Sequence, residues 1–294
     1  MREEQRTRVA EGAGFFAALD QSGGSTPRAL ALYGVPESAY SNDDEMFDLM
    51  HEFRARIMSS PAFTGERVLG AILFEQTMDR DVEGVAAPDY LWQRKGIVPF
   101  VKVDEGLANE RDGVRLMKPF TKIDGLLARA VERRVFGTKM RSFISRADAG
   151  GIGANLDQQF GYARQILAAG LVPILEPEVD IHSDEKRQAE DMLKAGILER
   201  LADVDEPIML KLSIPSADNF YADLIAHPKV LRVVALSGGY SQAEADERLA
   251  RNRGLIASFS RALVQDLRHQ QTDAEFNRTL EVAVDAIYRA SVGP

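Results

Sequence analysis

The feature that most constrains this chain is a repeated alternation. Eight short apolar runs are separated by longer stretches, in most of which apolar residues recur every three or four positions. The runs are GFFAALD (14–20), VLGAILFE (68–75), IVPFVKVD (97–104), GTKMRSFI (137–144), LVPILEPEV (171–179), PIMLKLSI (207–214), LRVVALSGG (231–239) and GLIASFSR (254–261). Short apolar runs bounded by polar turns read as buried strands, and the three-to-four spacing reads as helix. DQQFGYARQILAAG before the fifth run and EKRQAEDMLKAGILERLA after it are clear cases of that spacing. Strands alternating with helices pair in parallel, and eight such units predict an α/β fold closed as a single (β/α)8 TIM barrel. An open doubly wound sheet is the competing arrangement. With no low-complexity tract or Pro/Gly/Ser linker, residues 1–294 are expected to form one domain.

The 21–67 stretch is long for one connection and is expected to hold two helices, Pro27–Tyr33 and Asp43–Ile57. Ser41-Asn42-Asp43 supplies a capping signal for the second. TDAEFNRTLEVAVDAIYRAS reads as a closing helix near the C-terminus.

Strands covered on both faces should be almost wholly apolar. Here Asp20, Lys102, Lys139, Arg141, Glu176, Glu178, Lys211, Ser237 and Arg261 lie in or at the ends of such runs. Period-two alternation puts Lys139 with Arg141 on one face, Glu176 with Glu178, and Lys211 with Met209 and Ser213. A single strand charge is ordinarily an edge residue or a satisfied ion pair. Several at the C-terminal ends of different strands fall where barrels build their sites.

Overall charge points the other way: 36 Lys and Arg against 45 Asp and Glu give a net −9. That argues against nucleic acid or an anionic membrane as partner, since both require a basic surface. Locally, three lysines and two arginines face three carboxylates, a surplus that Glu75 and Asp104 would cancel if they joined the pocket. Such a pocket suits a substrate with more than one phosphate. A lysine attacks a carbonyl only as the neutral amine, which an apolar strand position beside a second cation favours. Lys211, flanked by Met209, Leu210 and Leu212, is the candidate for Schiff-base formation.

Other chemistries find less support. Ser22-Gly23-Gly24-Ser25 follows a strand but lacks the spacing of a dinucleotide loop. Ser237-Gly238-Gly239 and Arg261 close the seventh and eighth runs, where barrels commonly bind phosphate. The chain has no cysteine, and His51, His182, His227 and His269 are scattered, without HxH or HxxxH spacing. No metal site is expected, and each histidine reads as a surface residue. The polar N-terminus and the absence of a membrane-length apolar run suggest a soluble, cytoplasmic protein.

Taken in order, LDQSGGSTP, GAILFEQTMDR, GIVPFVKVDEGL, FGTKMR, GLVPILEPEV, MLKLSIP, RVVALSGGYS and LIASFSRAL resemble the strand motifs of class I fructose-bisphosphate aldolase, its bacterial branch most closely. The resemblance runs from about residue 12 to near the C-terminus. It implies Schiff-base cleavage of fructose 1,6-bisphosphate without a cofactor, and a homo-oligomer, a tetramer by family pattern. It implies that Lys211 attacks the ketone, that Glu176 is the general acid/base, and that Glu178 is the second carboxylate of that motif. Lys139 is similar to the lysine that keeps the site electropositive, Arg141 after it is expected among the substrate- and phosphate-binding residues, and Asp20 is similar to the aspartate that handles the 4-hydroxyl. Ser22, Ser25 and Lys102 fall at the 6-phosphate end, and Ser237, Gly238 and Arg261 at the 1-phosphate end. Three departures stand out. Gln21 follows Asp20 where vertebrate members have glutamate, and Ser260 precedes Arg261 where many relatives have glycine. The chain also ends without the terminal tyrosine of vertebrate members, and Tyr288 is expected to lie in a helix. A Schiff-base enzyme acting on a different sugar phosphate, such as a transaldolase, is the nearest alternative. A non-catalytic binding protein on the same scaffold is the more distant one.

Overall fold

A computed structural model describes residues 2–22 and 25–293. Both glycines of the Ser22–Ser25 turn therefore lie outside the described residues. Eight parallel strands are β1 (Phe15–Leu19), β2 (Val68–Leu73), β3 (Val98–Lys102), β4 (Gly137–Ile144), β5 (Val172–Val179), β6 (Ile208–Ser213), β7 (Val230–Leu236) and β8 (Ile256–Phe259). Seven fall inside their apolar runs, and β7 begins one residue before its run, at Val230. Neighbours pair in chain order, β3 pairs β4 through Phe100↔Gly137 and Lys102↔Lys139, and β8 returns to β1 through Phe16↔Ser258. The sheet is therefore a closed barrel, and the open-sheet alternative is excluded.

Closure leaves two apolar layers. Inside the barrel, Phe16, Ile72, Val98, Phe100, Ile174, Met209, Val234 and Ile256 form one buried cluster, which Val9 joins from the N-terminal helix α1 (Arg2–Glu11). The Phe16 and Phe100 rings lie 5.4 Å apart. They fit because two wall positions carry no side chain. A Cβ on Gly70 would come 2.5 Å from the Phe16 ring, and one on Gly137 would come 2.7 Å from Phe100. Arg232 of β7 ties α1 to the barrel floor by donating to the carbonyls of Ala10 (2.5 Å) and Gly12 (3.0 Å), which the helix end leaves unpaired. A second, larger cluster lies between the strands and the surrounding helices.

The 21–67 stretch folds as expected, into α2 (Thr26–Tyr33) and α3 (Asp43–Ser59). The side chain of Asn42 caps α3 by accepting from the Glu45 amide at 2.9 Å, and three acids in its first turn complement the helix dipole. Further helices cover the outside: α4 (Ile123–Glu132), α5 (Ala149–Ala168), α6 (Lys186–Leu201), α7 (Gln242–Ala250) and the closing α8 (Asp273–Val292). Thr272 and Glu275 make a reciprocal capping box at the start of α8, and Tyr288 lies within it. No helix among the described residues is long and apolar enough to cross a membrane.

Candidate active site

All twelve residues singled out in the sequence line one cavity of about 710 Å³ at the C-terminal ends of the strands. Parallel pairing and the period of two explain the convergence. Residues that continue the inward positions of Phe16, Phe100, Ile174 and Met209 upward along β1, β3, β5 and β6 reach the barrel mouth as Asp20, Lys102, Glu176 and Lys211.

Four of these side chains form a continuous charged chain. The Lys211 ammonium lies 3.0 Å from Glu176 Oε1, and the Lys139 ammonium lies 2.9 Å from Glu176 Oε2. Lys139 also lies 2.7 Å from Asp20. One carboxylate thus spans two lysines, and one lysine spans two carboxylates. All four residues are at least nine-tenths buried. Burial alone would raise the Asp20 carboxyl, but Lys139, Lys211 and Lys102 outweigh it and hold the group well below the usual carboxylate range. Burial alone would lower the Lys139 ammonium. Asp20, Glu176 and Asp104 outweigh it and hold that group well above the ordinary lysine value. Asp20 is therefore an anion and Lys139 a cation across the whole neutral range.

The remaining residues surround this chain. Arg141 pairs with Glu178. Lys102 is bound to Asp104, whose carboxylate lies 2.7 Å and whose carbonyl lies 2.6 Å from the ammonium. On the β1 side the Ser25 hydroxyl donates to the Ser22 carbonyl at 3.0 Å and accepts from the Ser22 amide at 3.0 Å. On the β7 side the Tyr240 amide returns to the Ser237 carbonyl at 2.9 Å. Gly238 adopts φ +61°, and a Cβ there would meet Ile181 at 2.6 Å. Glycine is needed there on both counts. Arg261 stands at the cavity mouth after β8.

Two of the sequence departures touch one another. Gln21 Nε2 donates to the Ser260 hydroxyl at 2.6 Å, bridging the ends of β1 and β8. Behind them lies Arg54 of α3, wholly buried, which donates to the Gln21 carbonyl (2.5 Å) and to Thr77 (2.8 Å). Burial pushes the Arg54 guanidinium down to about 9, with Asp20 opposing.

Sequence reasoning passed over three charged cavity residues. Asp104 entered only as a charge to be counted, yet it joins Lys102, Lys139 and the Arg141 amide, at 2.7, 3.9 and 3.1 Å. Its position two residues after Lys102, on the same face, was the available signal. Arg28 and Arg115 also line the cavity, and both come from connecting segments with no strand pattern to mark them. Glu75, by contrast, pairs with Arg129 away from the cavity. One reading of the histidines is corrected. His51 and His227 are half-buried, with His51 Nε2 2.8 Å from the Asp81 carbonyl and His227 Nδ1 accepting from the Lys229 amide. Among the described residues no three His, Asp or Glu side chains converge as metal ligands.

Known proteins match this chain at both levels. The family model described as "Glycolytic: Fructose-bisphosphate aldolase class-I" matches residues 1–202. The class 1 fructose-bisphosphate aldolase of Synechocystis sp. is 59% identical over 292 residues, covering 99% of this chain and 97% of its own. Among solved structures, the fructose-bisphosphate aldolase of Plasmodium falciparum, in complex with TRAP and a small-molecule inhibitor, superposes with TM-score 0.74 at 22% identity. That match covers 99% of this chain and 94% of that one. An archaeal fructose-1,6-bisphosphate aldolase, its catalytic lysine bound to the carbinolamine intermediate, superposes with TM-score 0.55 at 12% identity, covering 98% and 100%. The distant structures establish the barrel, and the close relative and the family model establish the activity. The chain belongs to the class I fructose-bisphosphate aldolases, the Schiff-base-forming lyases of glycolysis.

Proposed function

We propose that Lys211 forms the Schiff base with the ketone of fructose 1,6-bisphosphate, and that Glu176 moves the protons that make and break it. The observation that carries this assignment is the Glu176 carboxylate, held between the Lys211 and Lys139 ammonium groups at 3.0 and 2.9 Å. A neutral Lys211 amine, its proton passed to Glu176, adds to the C2 carbonyl. Protonation of the resulting hydroxyl by Glu176 expels water and leaves the iminium. Lys139, held charged by its carboxylate neighbours, keeps positive charge beside the developing anion at every stage.

The iminium is an electron sink. Asp20, anionic at working pH, takes the 4-hydroxyl proton. The bond between the third and fourth carbons then breaks, its electron pair flowing into the iminium. Glyceraldehyde 3-phosphate leaves. The enamine is protonated at carbon, and hydrolysis releases dihydroxyacetone phosphate and restores Lys211. Glu178 fixes Arg141 at the edge of the site. Ser22, Ser25 and Lys102 hold the 6-phosphate end, and Ser237, Gly238 and Arg261 hold the 1-phosphate end, so the ketone is positioned beside Lys211. The same reading takes residues 1–294 as one domain needing no cofactor. It acts as a homo-oligomer, a tetramer by family pattern, in a cytoplasmic setting without nucleic acid or membrane partners.

Borohydride added with dihydroxyacetone phosphate tests the assignment. Inactivation with a reduced adduct on the Lys211 peptide is the expected result. An adduct on Lys139 or Lys102, or none, overturns it.

A further inference from the structure

Charge in the cavity is distributed unevenly. Seven cations and four carboxylates line it. Lys102, Lys139, Arg141 and Lys211 are each ion-paired with one of those carboxylates. Arg28, Arg115 and Arg261 have no ion pair among the described residues, so the cavity's surplus of positive charge resides on these three arginines. A phosphate monoester carries roughly −1.5 to −2 charge at neutral pH, so a bisphosphate brings on the order of −3 to −4. The groups able to meet it without first breaking an internal pair are these arginines.

Arg115 is the best prepared of them. The two-residue strand Val114–Arg115 pairs antiparallel with the end of β4, through Val114↔Ile144 and Arg115↔Phe143. A second contact, Leu107↔Met117, folds the 107–117 segment back on itself. The Arg115 Nε–H donates to the Ala108 carbonyl at 3.1 Å, so the side chain is anchored at its inner nitrogen. Its two terminal nitrogens make no hydrogen bond among the described residues. Unlike Arg28 and Arg261, which are exposed, Arg115 is half-buried. A guanidinium already fixed in place loses little freedom on binding an anion.

Topology supplies the direction. Arg261 follows β8, while Arg115 is carried on the end of β4, four strands away around an eight-strand ring. The two arginines therefore stand on opposite sides of the barrel mouth, as the ends of a linear bisphosphate require. We propose that Arg115 is the specificity-determining contact for the phosphate remote from the ketone, opposite Arg261 at the 1-phosphate. This assignment rests on the aldolase reading above. Beside Lys102, whose charge is shared with Asp104, it adds a cation with no internal ion pair to break.

The test compares Arg115→Met and Arg115→Lys with the wild type on fructose 1,6-bisphosphate and on fructose 1-phosphate, at matched ionic strength. Both variants lose the Nε bond to Ala108, but only the methionine loses the charge. Arg115→Met should lower kcat/KM for the bisphosphate by roughly ten- to a hundredfold, as for a charge-assisted phosphate contact. Its effect on fructose 1-phosphate should be several-fold smaller, and Arg115→Lys should recover most of the loss. Equal losses on both substrates, or a lysine variant as poor as the methionine one, overturn the assignment and make Arg115 a prop for its loop. Borohydride trapping with dihydroxyacetone phosphate, run on the same proteins, separates the two readings. Trapping kept in variants that lose both substrates equally removes Arg115 alone. Trapping absent from the wild type removes the aldolase assignment and this one with it.

Discussion

The lower and upper halves of the barrel interior share one wall and one alternation, yet their chemistry is opposite. On β6, Met209 faces inward in a buried apolar layer, and Lys211, the next inward residue, faces the cavity. On β5, Ile174 and Glu176 repeat the change, as do Phe100 and Lys102 on β3. Two residues along a strand cover only about 6.6 Å. The contrast shows that alternation decides which side chains enter the barrel, while height along the strand decides what they can be. In the lower layer the inward side chains meet only one another, and a charge there would have no partner. In the upper layer Lys139 and Lys211 meet carboxylates delivered by other strands, and Lys102 meets Asp104 just beyond its own strand, so burial is tolerated.

The largest effect expected from this contrast is on catalysis at the upper position. Lys211→Met copies the chemistry of the layer below and fills a similar volume. It should fold, because the new side chain joins Met209 on the inner face while Glu176 keeps Lys139. Turnover should fall by roughly 10⁴-fold or more, as when a covalent nucleophile is removed. A rate within tenfold of the wild type would mean that another lysine carries the reaction.

Two residues below, the signs should reverse. Met209→Ala opens a cavity in a buried layer of apolar side chains, and should cost about 2–5 kcal/mol of stability. Turnover per folded molecule should change far less than in Lys211→Met. Urea unfolding together with active-site titration by borohydride trapping checks both halves of the statement. A stable Met209→Ala enzyme with sharply reduced turnover would dissolve the boundary between the two layers.

The same boundary explains what was legible beforehand. Strand positions were readable because buried parallel strands demand apolar runs, and charged exceptions inside such runs have few places to go. Asp20, Lys139, Glu176 and Lys211 stood out as breaks in a pattern. Arg115 and Arg28 lie where there is no pattern to break, on segments placed by contacts distant in sequence. Asp104 was visible as a residue but not as a partner, since its pairing with Lys139 requires β3 and β4 to meet. Arg54 lies 33 residues from Gln21, and no periodicity links a buried guanidinium on α3 to the turn after β1. Two of the four histidines, His51 and His227, are less exposed than expected for a related reason. A half-buried ring such as His51 is packed by a hairpin formed by residues 81–86, which single-chain spacing does not reveal.

The smallest effect expected concerns how the upper layer bears its buried charge as pH changes. The Asp20 carboxyl is held below its usual range by three lysines, so folding favours its ionised form. A group with a depressed pKa contributes stability that is fully present above its unfolded value, about 3.9 for aspartate, and lost as pH falls through the folded value. Lys139 has the opposite sign. Its raised pKa contributes fully below about 10.4 and is lost only in strong alkali, so it adds no slope on the acid side. Asp20→Asn removes the carboxylate while leaving Lys139 its contact with Glu176. It should lower stability by on the order of 1–3 kcal/mol at pH 7. The gap between variant and wild type should then narrow as pH drops below about 4, because the wild type begins to lose what the variant already lacks. Urea midpoints measured from pH 7 to pH 3 give the comparison, and the lower-layer variant Met209→Ala provides the control. Its deficit is one of packing and should stay constant with pH. If the Asp20→Asn gap is equally flat, the carboxylate is not held by the lysines around it, and the upper layer is stabilised, like the lower one, by shape alone.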